Sequence, residues 1–190
     1  HYNFIIRDNW QGELLEPQQH VFTNYLSKLH RSSKNIHALN KALDVTEGVK
    51  IIYKISFSTS RWATGLTSFK KEVLQEAIDT GHVARCAERY GEELPEKIDD
   101  YIAEETISCI SPSSLFSEYR LQPLHWVQID TEGYDFEIIK MLDLNSVKPE
   151  AIAFEHSHLS TEDRKACEQY LVEHGYSLKI FGKDMVAFRN

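Results

Sequence analysis

The sequence predicts a mixed α/β domain with a mostly parallel β-sheet and an antiparallel hairpin at its end. Short apolar segments bounded by turn residues alternate with helical patterns of apolar residues, which is typical of parallel sheets covered by helices. Near the end of the chain, two strand patterns flank Gly182-Lys183-Asp184, as in a β-hairpin. The 190 residues suffice for a sizeable core, and we expect a single domain over residues 1–190.

Up to residue 57, the apolar pattern predicts two helical segments and three strands. The first strand is expected to end at Pro17, because the residue before a proline is conformationally restricted. The elements are, in order, a helix end at 2–7, a strand at 12–16, an amphipathic helix with an apolar stripe from Val21 to Leu29, a strand at 35–43, a turn at 44–48 and a strand at 49–57.

The middle of the chain is more polar and predicts fewer strands. Pro112 opens a helix, since proline is tolerated in the first turn. The elements are a polar loop at 58–68, a helix with an apolar stripe from Phe69 to Ile78, a charged and variable helical insertion at about 78–104, a strand at 106–110 and a helix from Pro112 to about Tyr119.

The last third has the clearest pattern. Ser160 with Asp163 resembles a capping box, and Gly175 suits the position after a helix. The elements are a strand at 124–130, a helix at 134–142, a strand at 151–155, a helix from Ser160 to Gly175 and a hairpin of 177–181 with 185–188.

Composition excludes several classes of protein. The net charge of −8 argues against a nucleic-acid binder, which needs a basic face. No apolar run approaches the roughly 20 residues of a membrane span. The three cysteines form no C-x-x-C pair, which disfavours a zinc site and indicates a reducing compartment, and we assign no residue as a metal ligand. With no charged-then-apolar leader at the start, we predict a cytoplasmic location. The oligomeric state is left open.

Three predicted strands end in a carboxylate: Glu16, Asp130 and Glu155. In an open parallel sheet, ligands bind outside the carboxyl ends of the strands, so we expect these acids to share one edge. Glu16 suits two hydrogen bonds from a ribose diol. Asp130 could hold an ammonium group or a metal ion, or accept a hydroxyl proton.

The segments after the last two acids carry further candidates. We assign function to Glu132 as well as Asp130, and expect Gly133 to permit a tight strand-to-helix turn or the close approach of a ligand. Asp135 and Glu137 are interpreted as acids of the helix N-terminus. After Glu155, His156 and His158 could ligate a divalent metal or act as a general base. If the strand persisted, alternation would place both histidines on the face opposite Glu155.

Several segments together resemble the FkbM family of S-adenosylmethionine-dependent methyltransferases. Residues 10–17 are similar to W-x-G-x-x-x-E-P, 129–135 to I-D-x-E-G-x-[DE], and 149–155 to P-x-x-I-x-x-E. Residues 40–43 resemble N-x-A-[IL], and 61–69 a looser S-G-x-x-S-F. The resemblance implies a Rossmann-like methyltransferase fold and O-methylation of a hydroxyl on a sugar, glycan or natural-product acceptor, with S-adenosylmethionine as cofactor.

The resemblance also implies site residues. We predict cofactor binding by Glu16, at the ribose, and by Pro17, Asn40, Ala42, Leu43 and Asp130. The predicted catalytic residues are Asp130, Glu132, His156 and His158, with Asp130 the preferred base. The acceptor, a small molecule or glycan, is expected to contact Trp62, Ser68 and Glu155.

One element of the family pattern has no counterpart in the sequence. A glycine-rich cofactor loop, roughly G-A-N-x-G, should precede the helix at Tyr2. We therefore expect the domain to be incomplete at its N-terminus, with the first strand and this loop in about 10 or more residues upstream.

Three other functions remain open at this stage. A module of the same fold could bind a nucleoside or glycan without turnover. A metal-dependent hydrolase could use the Asp, Glu and His side chains, as could a minority metal-assisted route for methyl transfer. A dinucleotide-dependent oxidoreductase would share the ribose acid, but it fits the segment around Asp130 less well.

Overall fold

The computed structural model describes residues 7–29, 35–121 and 123–190. It divides into two compact units, of residues 1–51 with 105–121 and of residues 52–104 with 122–190. Most of the helix end predicted at 2–7 lies outside the described residues. The mixed α/β class is confirmed.

The first unit contains a parallel pair of strands joined through a helix. Strand β1 (Gly12–Leu15) runs beside β2 (Ile36–Leu39), with Gly12 opposite Ile36 and Leu15 opposite Leu39. The connecting helix α1 is α-helical at Gln19–Val21 and Ser27–Leu29 but π-helical at Phe22–Leu26. Helix and strand agree with prediction, while the π-helical centre was not predicted.

The single strand predicted at 35–43 is wrong. The chain forms β2 and then a separate two-residue strand, β3 (Ala42–Leu43), which pairs in parallel with Cys109 and Ile110. The break falls at Asn40, whose side-chain amide donates to the carbonyl oxygens of Glu16 (2.8 Å) and Pro17 (3.0 Å). This local side-chain bonding competes with strand pairing and redirects the chain.

Two longer strands each contain residues that are assigned to both units. They are β4 (Gly48–Ile55) and β5 (Ile102–Ile110), and the sheet order is β3-β5-β4. Strand β5 begins four residues before the predicted start at residue 106. Its early part contains Glu104 and Glu105, which obscure the apolar pattern. Helix α5 (Pro112–Tyr119) follows, with the Ser111 hydroxyl accepting from the Ser114 amide.

The second unit begins with helices that surround an apolar cluster. The helices are α2 (Arg61–Thr64), α3 (Lys71–Asp79) and α4 (His82–Tyr90), followed by a 3₁₀ turn at Ile98–Tyr101. Their cluster comprises Ile55, Ala63, Leu66, Leu74, Ile78 and Val83. The predicted polar loop at 58–68 therefore contains a helix, which begins where the Ala63 and Thr64 amides donate to the Ser60 carbonyl.

The C-terminal sheet of this unit has the order β6-β7-β9-β8. It consists of β6 (Trp126–Ile129), β7 (Ala151–Glu155), β8 (Tyr176–Phe181) and β9 (Asp184–Arg189), together with helices α6 (Asp135–Met141) and α7 (Thr161–Glu173). Strands β6 and β7 are parallel, and β9 is antiparallel to both neighbours. The predicted hairpin is confirmed. The sheet as a whole is mixed, because β6 and β7 are parallel whereas β9, which lies between β7 and β8, is antiparallel to both.

Apolar side chains fill the core of this unit. Ile129, Ile152, Phe154, Met185 and Ala187 are buried. Trp126, at the start of β6, is 36% exposed.

Two further findings concern membrane-spanning helices and the cysteines. No helix among the described residues is long and apolar enough to cross a membrane. Cys86, Cys109 and Cys167 are all free thiols.

Candidate functional site

A sharp turn connects β6 to α6 and carries the Asp-Thr-Glu-Gly segment. Glu132 has φ of 49° and Gly133 has φ of 90°, so two successive residues adopt left-handed conformations. A Cβ at Gly133 would lie 3.0 Å from the carbonyl oxygen of His158 and 3.4 Å from Val73. Glycine is thus required both by the backbone conformation and by the space. This is the tight turn that the sequence predicts. The group that lies close to Gly133 is the backbone carbonyl of His158.

Three carboxylates lie side by side where neighbouring strands meet the same edge. Asp130 follows Ile129, which pairs with Phe154, and Glu155 pairs with Asp184. The predicted proximity of Asp130 and Glu155 is confirmed, whereas Glu16 follows β1, which belongs to a different sheet, so the three predicted acids do not end strands of one sheet. Asp184 was missed, because it belongs to an apparent hairpin turn and only the pairing of β7 with β9 brings it here.

Glu132, Glu155 and His158 converge within this edge. His158 Nε2 lies 3.2 Å from Glu132 Oε2 and 3.6 Å from Glu155 Oε1. Lys183 Nζ lies 3.7 Å from Glu155 Oε1, and the Ser157 hydroxyl donates to the same oxygen. We call Glu132, Glu155 and His158 the acid–histidine triad.

The expected alternation of the two histidines is wrong. Strand β7 ends at Glu155, and residues 157 and 158 form a turn, so His158 comes back to the Glu155 side chain. His156 is instead buried, at 8% exposure, and its amide donates to the Lys183 carbonyl at 3.0 Å.

Crowding of acids changes proton affinities at this edge. The pKa of Glu132 is raised to about 8, first by burial and then by the charges of Asp130, Glu155 and Asp135. The pKa of Asp130 is raised by partial burial and by Glu155 and Asp184, although the residue remains accessible to solvent. A raised pKa makes a carboxylate a better proton acceptor near neutral pH.

Cations oppose this effect. Lys183 lowers the pKa of Glu132, and Arg61 and His158 lower that of Asp130. Arg61 and Lys183 were not predicted as site residues, since neither lies near the predicted acids Asp130, Glu132 and Glu155 in the sequence.

The polar groups of Ser68 and Trp62 form hydrogen bonds within the protein. The buried Ser68 hydroxyl donates to the Glu132 carbonyl (2.8 Å) and thereby holds the turn. The indole N–H of Trp62 donates to Glu92 Oε2 at 3.0 Å. Glu92 also accepts from the hydroxyls of Ser58 (2.8 Å) and Ser60 (2.5 Å), which lower its pKa against the effect of desolvation. Glu92 was missed because its partners are 30 or more residues away in the sequence.

Most of the predicted cofactor-binding residues lie in the first unit. Glu16 Oε1 accepts from the Gln18 amide at 2.8 Å, and Asn40 is bonded to the Glu16 and Pro17 carbonyls as described above. Ala42 and Leu43 follow directly as β3. Burial, and to a smaller degree the charge of Glu105, raise the pKa of Glu16, while the Gln18 amide lowers it. Glu16, Pro17 and Asn40 thus share one hydrogen-bonded site.

Comparison with known families gives one match. A family model described as the methyltransferase FkbM domain matches residues 2–178. No curated protein and no solved structure matches the chain.

Replacing Gly133 with alanine tests the turn. We expect Gly133→Ala to lower the free energy of unfolding by about 2 kcal/mol or more, since a left-handed residue costs roughly 1–2 kcal/mol and the His158 carbonyl must also move. Chemical denaturation measures the loss. Gly182→Ala is the matched control, with φ of 65° and nothing within 4 Å of its Cβ. An equal loss in both variants would show that the His158 contact is unimportant.

Asp135 predicts a pH dependence of stability. It is fully buried, accepts from the Thr131 hydroxyl at 3.0 Å, and has its pKa raised from 3.8 to about 6, chiefly by burial. The folded chain therefore binds more protons than the unfolded chain between these pH values, and stability falls as pH rises through that window. The full effect is on the order of 3 kcal/mol.

Unfolding of wild type and Asp135→Asn between pH 3.5 and 7 measures this effect. We expect the variant, which is neutral throughout, to gain stability relative to wild type as the pH rises. Glu137→Gln, which removes a surface pair with Lys140, is the control on the same helix. Parallel curves for wild type and Asp135→Asn would contradict the assignment.

Proposed function

Because the chain belongs to the FkbM methyltransferase family, we propose that it transfers a methyl group from S-adenosylmethionine to a hydroxyl of a sugar, glycan or natural-product acceptor. The match over residues 2–178 is the observation that carries this proposal, and it does not favour the binding-module or hydrolase alternatives. The parallel pairs β1–β2 and β6–β7 and the terminal hairpin support a Rossmann-like arrangement. We propose one methyltransferase domain.

We assign cofactor binding to the site around Glu16. A carboxylate at a strand end suits the two hydroxyls of a ribose, and the Gln18 amide fixes one of its oxygens. Asn40 holds the backbone of Glu16 and Pro17, so its role is one of positioning. Ala42 and Leu43 would lie beside the adenine. Bound S-adenosylmethionine supplies the activated methyl group.

We assign the chemistry to the carboxylate edge. An alcohol must lose its proton as it attacks, and Asp130 is accessible and has a raised pKa, so it is the preferred base. His158 and Glu132 lie next to it in the proposed site, while His156 is buried and less suited to meet an acceptor. Glu155 remains the proposed acceptor contact. Trp62 and Ser68, whose polar groups are engaged, would shape this site indirectly.

Removing the proposed base tests the chemical step. We expect Asp130→Asn in the full-length protein to lower methyl transfer about 10²- to 10⁴-fold, the usual contribution of a general base. Transfer of labelled methyl to acceptor measures it, and Asp99→Asn, at an exposed position, is the control. Unchanged turnover in Asp130→Asn would remove Asp130 from the chemistry.

Glu16 is tested by affinity rather than by turnover. Loss of charge-assisted hydrogen bonds to a ribose predicts about 10- to 100-fold weaker binding of S-adenosylhomocysteine to Glu16→Gln. Calorimetry on the full-length protein measures this, with Glu118→Gln on the exposed face of α5 as control. Equal affinity in Glu16→Gln and wild type would contradict the ribose assignment.

A further inference from the structure

We propose that Glu132, Glu155 and His158 form a binding site for a first-row transition-metal dication such as Mn²⁺ or Zn²⁺. Binding of the ion does not depend on methyl transfer. Its role, to lower the pKa of an acceptor hydroxyl so that Asp130 can accept the proton, rests on the proposed function. The cysteine spacing disfavoured a zinc site, while a metal-assisted route through the acids and a histidine remained open; the folded chain brings Glu132, Glu155 and His158 together.

The geometry of the acid–histidine triad is the first argument. One ligand atom from each residue can be chosen so that all three lie within 4.8 Å of one another. The His158 nitrogen is 3.2 Å and 3.6 Å from the two carboxylate oxygens. Ligand atoms about 2.0–2.2 Å from a common ion are themselves roughly 3–3.5 Å apart. Small side-chain rotations would thus complete three sites of coordination.

The chemistry of the donors selects the class of ion. An imidazole nitrogen with two carboxylate oxygens is a mixed set that suits Zn²⁺, Mn²⁺ or Fe²⁺. Ca²⁺ prefers six to eight oxygen ligands and does not favour imidazole. Three protein ligands also leave coordination positions open for water or an acceptor hydroxyl, as in catalytic metal sites.

The local charge favours a cation. Asp130, Glu155 and Asp135 all act on Glu132, and Asp184 acts on Asp130. Lys183, which is highly exposed and lies 3.7 Å from Glu155, and Arg61, which acts on Asp130, offset only part of this repulsion. A dication between Glu132 and Glu155 would offset this repulsion.

Buried polar atoms without partners provide an independent indication. In the described parts of the chain, four buried side-chain atoms have no hydrogen-bond partner, and three of them flank the triad in sequence. They are Oδ1 of Asp135, which is fully buried, and both ring nitrogens of His156, which is 92% buried. Buried polar groups normally have partners, and a buried group without one can mark the place of a bound water or ion; Asp135 lies on the segment that carries Glu132, and His156 lies between Glu155 and His158 in the sequence.

The backbone holds the two ligand-bearing segments together before any ion binds. The His158 carbonyl packs against Gly133, and the Ser68 hydroxyl holds the Glu132 carbonyl at 2.8 Å. Glu155 is fixed at the end of β7 by its pairing with Asp184. Because the ligands stand on restrained backbone, little ordering is needed on binding.

Metal binding to the full-length protein, without methyl donor or acceptor, tests the site directly. After treatment with a chelator, calorimetry and Mn²⁺ electron paramagnetic resonance should give one bound ion in wild type. We expect Glu155→Gln and His158→Gln each to weaken binding at least 10- to 100-fold. Co²⁺ absorption gives a second measure. Only His158→Gln removes the nitrogen ligand, so only this variant should lack the absorption of a nitrogen-ligated ion.

The control is a histidine–glutamate pair of similar composition at the surface. His125 Nδ1 lies 2.9 Å from Glu150 Oε1, and both side chains are exposed. His125→Gln should bind the ion as wild type does. Circular dichroism and thermal unfolding verify that each variant is folded, and Glu132→Gln provides a further triad variant if one of the others is not.

The outcomes separate this proposal from the proposed function. No binding in wild type, or equal affinity in wild type and His158→Gln, would overturn the metal site even if methyl transfer is observed. Stoichiometric binding that is lost in the triad variants but kept in His125→Gln would support the site even if no methyl transfer occurs.

Discussion

The contact between Gly133 and the carbonyl of His158 is the constraint on which the candidate site depends. It joins the turn after β6 to the turn after β7, and each turn contributes one member of the acid–histidine triad. Any side chain at residue 133 would separate these two segments. A conformation open almost only to glycine thus sets the distance between Glu132 and His158, and Ser68 reinforces it from a third segment.

The site is costly for the folded state. Glu132 combines a left-handed backbone with a carboxylate whose pKa rises to about 8, and Asp135 is buried below it in the first turn of α6. Strained backbone and crowded charge both lower stability and are commonly concentrated where a protein binds or reacts. Strands β7 and β9 are distant in the sequence, and both contribute buried apolar residues. These residues supply the compensating stability.

Local patterns determined how much could be predicted. Strand β7 was predicted at its observed bounds because four consecutive apolar residues lead up to the terminal acid, and the Ser160 cap of α7 is signalled by Asp163 three residues later. Strand β5 was predicted too short because Glu104 and Glu105 interrupt its apolar pattern, and the strand at 35–43 was over-extended because the bonds of Asn40 are not visible in a pattern. Residues brought in by contacts distant in sequence could not be found this way, such as Asp184, which pairs with Glu155, and Glu92, which accepts from Trp62.

The hairpin turn between β8 and β9 has a consequence for how such a site can change over evolution. Lys183 and Asp184 reach the carboxylate edge from a turn whose Gly182 has open space around it, while their neighbours Met185 and Ala187 are buried in the core. The charge carried by these two side chains can therefore change without repacking the interior. Substitutions at Lys183 and Asp184 alter the charge beside Glu155, while the turn at Gly133 leaves little freedom for change.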